Sequence, residues 1–124
     1  MALDFLLDGC ASPKALVNRA KELGMEALAL TDHGVLHGAV SFYRACVEAE
    51  IHPIIGCEAY VAPGSRLERR PNLQKSEPRA YHLTLLAEDT TGYRNLSQLV
   101  SKGFLEGFYY RPRIDRELLS AHKE

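Results

Sequence analysis

Residues 27–34 read Ala-Leu-Ala-Leu-Thr-Asp-His-Gly. The first four make a short apolar run, of the length expected for a strand buried on both faces. The next four change character at once. An acid and an imidazole stand where the strand opens into a loop, and Gly34 lets the backbone turn sharply beside them. Upstream, Ser12 is placed to cap a helix and Pro13 suits its first position. Leu16, Val17, Ala20 and Leu23 recur at helical spacing, and Gly24 is placed to end the helix. Downstream, a second helix reads from about Gly38 to Glu50, with Val40, Tyr43 and Val47 on one apolar face. His52-Pro53 breaks it, and Ile54–Val61 is the clearest strand of the chain. Tyr81–Ala87 reads as a third strand, and Asp89 starts a third helix running to about Lys102, with Leu96, Leu99 and Val100 inward. An aromatic and basic tail covers 104–124, with a last short helix from Asp115. Strands alternating with helices are the α/β pattern, which predicts mainly parallel strands and chemistry at their carboxyl ends.

Composition sets the outer bounds. With 124 residues, 46% hydrophobic and 25% charged, the chain has the size and balance of one globular domain. A net charge of −1 argues against nucleic-acid binding through bulk positive charge. No stretch approaches the roughly 20 apolar residues of a membrane helix. Residues 1–9 lack the basic start and longer apolar run of a secretory signal. The three cysteines, Cys10, Cys46 and Cys57, have no paired spacing, which fits small buried hydrophobes in a reducing cytoplasm. From 65 to 79 the sequence is polar, with Pro71 and Pro78, and reads as a flexible loop. Arg66, Arg69 and Arg70 within it are either a solvated surface or a DNA-backbone contact.

Four residues carry the candidate chemistry. His33 is suited to ligate a metal, with Asp32 beside it to orient a ligand or water. Glu58 interrupts an apolar strand and shares a face with Ile54, Gly56 and Tyr60 by alternation, so it must be paired, metal-bound or at a wet end. His82 opens the third strand, and Asp8 lies in a Leu-Leu-Asp-Gly turn. Each alone has an ordinary structural reading. Together, imidazoles and carboxylates fit a borderline or hard divalent ion such as Zn²⁺ or Mn²⁺. In a parallel sheet, however, only His33 would sit at a strand's carboxyl end.

The segments taken together resemble one family. Leu-Leu-Asp-Gly at 6–9, Ala-Leu-Ala-Leu-Thr-Asp-His-Gly at 27–34 and Gly-Ala-Val at 38–40 are similar to the PHP domain of bacterial DNA polymerase III alpha subunits. So are Pro-Ile-Ile-Gly-Cys-Glu-Ala-Tyr-Val-Ala-Pro-Gly-Ser-Arg at 53–66, Tyr-His-Leu-Thr-Leu-Leu-Ala at 81–87, Thr-Gly-Tyr-Arg-Asn-Leu at 91–96 and Tyr-Arg-Pro-Arg-Ile-Asp at 110–115. The resemblance implies a partial PHP domain over 1–124, part of a distorted (β/α)7 barrel holding divalent metal: Zn or Mn, with Mg as a further option. It implies metal ligands at Asp8, His33, Glu58 and His82. It also implies DNA and other replisome subunits as partners of the parent polymerase. Related PHP proteins hydrolyse phosphoesters; in some alpha subunits the domain is a 3′–5′ exonuclease, in others a structural support.

The chain departs from that family in three ways. Met1–Phe5 stands where a His-x-His pair is expected, and a later Asp-x-His pair falls beyond Glu124. Val35 and His37 replace an Asn and an aromatic residue, so His37 is not a standard ligand. The expectation is a partial metal site with little nuclease activity in the isolated chain. A stand-alone PHP phosphoesterase and a non-catalytic interaction module are the alternatives. Open sheet edges further predict a homo-oligomer.

Overall fold

The computed structural model describes residues 11–69 and 78–123. Along them run α1 (Pro13–Glu22), β1 (Ala27–His33), α2 (Ala39–Ala49), β2 (His52–Val61), β3 (Tyr81–Leu86), α3 (Thr90–Leu105), β4 (Arg113–Ile114) and α4 (Arg116–Ala121). Local chemistry accounts for most of the boundaries. The Ser12 hydroxyl accepts from the Ala15 N–H at 3.2 Å and starts α1, and Gly24, at φ +73°, follows its end. Asp89 caps α3 by accepting from the Gly92 N–H, and Asp115 caps α4 by accepting from the Leu118 N–H.

Four strands form one sheet with β2 at its centre. β1 lies parallel to β2, with His33 opposite Glu58. β4 is also parallel to β2, pairing Tyr60–Val61 beyond the point where β1 stops. β3 is antiparallel, with Tyr60 opposite His82 and Glu58 opposite Thr84. The sheet is therefore partly parallel, and the expected parallel third strand is corrected. Parallel neighbours need a crossover that carries the chain back along the sheet. Here Val61 pairs with Tyr81, so the chain leaves β2 and enters β3 at the same end.

The helices cover one face. Leu28, Leu30 and Ile55 pack on a cluster of Val17, Ala20, Phe42, Cys46, Ala49 and Ile51. Ala59, Val61 and Leu85 pack on Leu99, Ile114 and Leu118. Cys46 and Cys57 are both buried, and burial pushes the Cys46 thiol up. Two expectations change here. The buried stripe of α2 is Ala39, Phe42, Cys46 and Ala49, while Val40, Tyr43 and Val47 are exposed. β1 is not buried on both faces: Ala29 is exposed and its neighbours are only partly covered. The other face of the sheet stays open among the described residues, and His33, Glu58 and His82 lie on it.

Candidate metal centre

Register places the three described candidates together. Paired residues point to the same side of a sheet, and alternate residues of one strand share a face. His33 is opposite Glu58, Tyr60 is two residues further along β2, and His82 is opposite Tyr60. All four side chains therefore share the face away from the helices. Because β3 is antiparallel, its first residues lie at the carboxyl end of β1. A ligand at a strand's start thus meets one at a strand's end.

The Glu58 carboxylate lies between the two imidazoles. Its Oε2 is 3.3 Å from His33 Nδ1, and its Oε1 contacts His82 Nδ1 directly. The His33 and Glu58 side chains are largely buried, while His82 is exposed at the rim. One donor atom from each of the three lies within 4.8 Å of the others. Ligand bonds near 2.0–2.2 Å separate donors in a tetrahedral site by roughly 3.3–3.5 Å, so small side-chain rotations close this set around one ion. Two imidazoles and a carboxylate fit a divalent metal on their chemistry. Asp8 lies outside the described residues.

Backbone constraints hold the set in place. The Gly34 N–H donates to the Glu58 carbonyl at 2.9 Å, tying the end of β1 to β2. Gly34 has φ +68°, and an added Cβ would meet the Tyr60 ring at 2.9 Å and Pro112 at 3.0 Å. Both conformation and space therefore require glycine. Tyr60 fills that gap, its ring stacked with His33 at 6.5 Å and edge-on to His82 at 5.1 Å. Asp32 takes a different place from the one expected. Alternation turns it to the helix face, where it is buried and its Oδ2 accepts from the Gly38 N–H at 2.8 Å. It shapes the turn into α2. His37 is exposed.

The arginines of the 65–79 loop divide. Arg66 is not a free basic contact: its guanidinium pairs with Glu106 at 2.7 Å and Asp115 at 3.0 Å and is 13% exposed. The Arg66 N–H also donates to Asp115, and the Arg66 carbonyl accepts from Arg113. Residues 65–69 are thereby clamped onto the α3–β4–α4 segment, which the expectation of a flexible loop missed. Arg69 is exposed and donates to the Leu67 carbonyl at 3.2 Å. Arg70, with the loop's middle, lies outside the described residues.

Sequence reasoning passed over the neighbours of His82. Arg111 donates to the Tyr60 hydroxyl at 2.5 Å, with its guanidinium carbon 4.8 Å above the Tyr60 ring. Arg79 lies 4.2 Å over the Tyr110 ring. The one available signal was alternation, which put Tyr60 on the Glu58 face. Nothing local to 109–111 announced that this turn comes back to β2.

The chain is 51% identical over 119 residues to the DNA polymerase III subunit alpha of Chlamydia pneumoniae, covering 96% of this chain and 9% of that protein. It is 54% identical over 119 residues to that of Treponema pallidum, covering 96% and 10%. The chain spans about a tenth of the length of the curated relatives it matches. Among solved structures, a protein named as a metal-dependent phosphoesterase, from Bifidobacterium adolescentis, aligns with a TM-score of 0.51 at 20% identity. That alignment covers 77% of this chain and 29% of the other, and shows a shared fold. The family model of the PHP domain matches residues 4–124, so the chain belongs to the PHP domain family.

Proposed function

We propose that the chain is a metal-binding part of the PHP domain of a bacterial replicative polymerase alpha subunit, acting in the cytoplasm with DNA and the other replisome subunits as partners of the parent protein. The convergence of His33, Glu58 and His82 at one end of the sheet is the observation that carries the metal reading. The identity to polymerase alpha subunits across 96% of the chain supports the parent. Asp8 is a fourth proposed ligand, on the resemblance of residues 6–9. Zn²⁺ or Mn²⁺ suits the donor set better than Mg²⁺, which prefers oxygen ligands alone. A bound divalent ion supplies Lewis-acid polarisation of a phosphoryl oxygen and a more acidic water. This chain's own residues position that ion: Glu58 offers the negative charge, His33 and His82 offer neutral nitrogens, and Gly34 and Tyr60 hold their spacing. Arg69, with Arg70, is the loop's proposed contact to a DNA backbone.

Three or four ligands hold one ion, whereas two-metal phosphoester hydrolysis clamps two. The isolated chain is therefore expected to bind one divalent ion and to cleave little or nothing. Calorimetric titration with Mn²⁺ and Zn²⁺ tests the first part. One equivalent should bind, with at least about tenfold loss in Glu58→Gln and His33→Ala; unchanged binding in both overturns the site. Incubation with labelled DNA and with small phosphate esters tests the second. Metal-dependent release of nucleotides from a 3′ end would establish an autonomous exonuclease. Turnover of small esters alone would favour a stand-alone phosphoesterase.

A further inference from the structure

A second cavity opens against the metal centre. It has a volume of about 170 Å³ and is lined by Tyr60, Arg79, His82, Tyr109, Tyr110 and Arg111, with Arg113 behind them. Tyr60 and His82 form its common wall with the metal centre. The remaining lining is basic and aromatic in alternation. Arg79 lies over Tyr110, Arg111 over Tyr60 and Arg113 over Tyr109, at 4.2, 4.8 and 5.1 Å.

The three arginines are not equivalent. Arg113 is buried, and donates to the carbonyls of Gly107, Arg66 and Glu68. It is scaffold. Arg79 and Arg111 are exposed, and among the described residues neither forms an ion pair with a carboxylate. Arg111 gives one of its five N–H donors to Tyr60. Two guanidiniums thus face one small cavity with donors to spare, in a chain whose overall charge is −1.

Tyr110 adds a second observation. Its φ is +61°, in the left-handed region that a bulky side chain rarely adopts, and it is 65% exposed. Backbone strain of this kind persists where the surroundings over-determine it, and it clusters at ligand sites. Here it holds one ring face on Arg79 and presents the rest of the ring to solvent, edge-on to Tyr109 at 4.7 Å. Arginines that take phosphate oxygens beside tyrosines that take base faces are the means by which proteins hold single strands.

We propose that this cavity is a subsite for one nucleotide of single-stranded DNA, with Arg79 and Arg111 on its phosphate and Tyr110 stacked on its base. The subsite rests on the proposed function only for its neighbour, the metal centre. It places the nucleotide's phosphate beside His82, on the same open face as Glu58.

The test is fluorescence anisotropy of a short labelled oligothymidylate with the 124-residue chain, in EDTA so that metal plays no part. The chain should bind, more weakly as salt rises. Arg79→Gln and Arg111→Gln should each weaken binding about tenfold, the size of one lost charge-assisted contact. Tyr110→Ala should weaken the oligonucleotide by at least about fivefold, since base stacking on an aromatic ring is worth that much or more. It should leave competition by inorganic phosphate unchanged. Arg94→Gln, an exposed arginine on α3, should have no effect. Circular dichroism checks that each variant is folded. Absence of binding by the parent chain overturns the subsite, and so does an equal loss in Arg94→Gln, which would mean bulk charge alone. Equal displacement by phosphate in parent and Tyr110→Ala, with no loss of oligonucleotide affinity, would leave an anion site and overturn the nucleotide. The metal titration is a separate measurement, so either reading can fail without the other.

Discussion

Asp115 is a buried and heavily bonded carboxylate. It accepts from the backbone N–H groups of Arg66 and Leu118 and from the Arg66 guanidinium. Burial alone would raise its pKa, but these donors outweigh burial and hold the carboxyl below its usual range. A folded-state pKa below the unfolded one contributes stability above the ordinary carboxylate value near 4, and that stability is lost as pH falls through the lowered value. Asp115→Ala removes one partner of a buried pair and leaves the Arg66 charge with Glu106 alone, which costs about 3 kcal/mol. Denaturant unfolding at pH 7 should show that loss. The gap between the parent chain and the variant should narrow as the pH is lowered below about 4, because protonation then removes the same interaction from both. A gap that stays constant down to pH 2 would assign the loss to packing instead.

At the scale of elements, the fold was legible where one signal had no competitor. Ser12-Pro13 and Asp115 started their helices as expected, since a capping side chain satisfies a particular backbone N–H. The apolar run at 27–30 was read correctly as strand. On α2 the signal was degenerate. Ala39, Phe42, Cys46 and Ala49 make one apolar stripe, and Val40, Tyr43 and Val47 make another beside it, about 100° around the helix. The larger residues drew the expectation, but the small ones let α2 approach α1 closely, with Phe42 filling the space between. Phe42→Ala should therefore cost about 3–5 kcal/mol, whereas Val40→Ala should stay within about 0.5 kcal/mol. Thermal unfolding of the two variants reverses that order if the first reading of the helix was right. The antiparallel β3 was illegible for another reason: strand direction is set by where a connection returns, which composition does not encode. That one missing fact also hid why His82 could join His33 and Glu58, while the return of β4 to β2 hid why Arg111 could reach Tyr60.

The whole molecule presents a one-sided sheet. Helices cover one face, while Ala29, His82, Thr84 and Leu86 remain exposed on the other. The strand order β1–β2–β3 leaves the outer edges of β1 and β3 without a partner among the described residues. A groove of about 940 Å³ beside α2 adds Val40, Tyr43 and Val47, opposite Tyr93 of α3. Unpaired edges template pairing with another chain, and exposed apolar stripes drive association. In relatives about ten times longer, other parts of the polypeptide are available to cover such surfaces. In this chain alone, a second copy is the partner always present. Light scattering at tens of micromolar should therefore give a dimer or larger species whose mass falls on dilution. If the α2 stripe contributes, the double variant Tyr43→Lys with Val47→Lys should lower the association, at little cost to stability because both side chains are already exposed. If the edges dominate, that variant should associate as the parent does, and Thr84→Lys, a charge on β3, should lower it instead. A parent chain that stays monomeric across the same concentrations would overturn both routes, and would mean that the open face is covered within the chain itself.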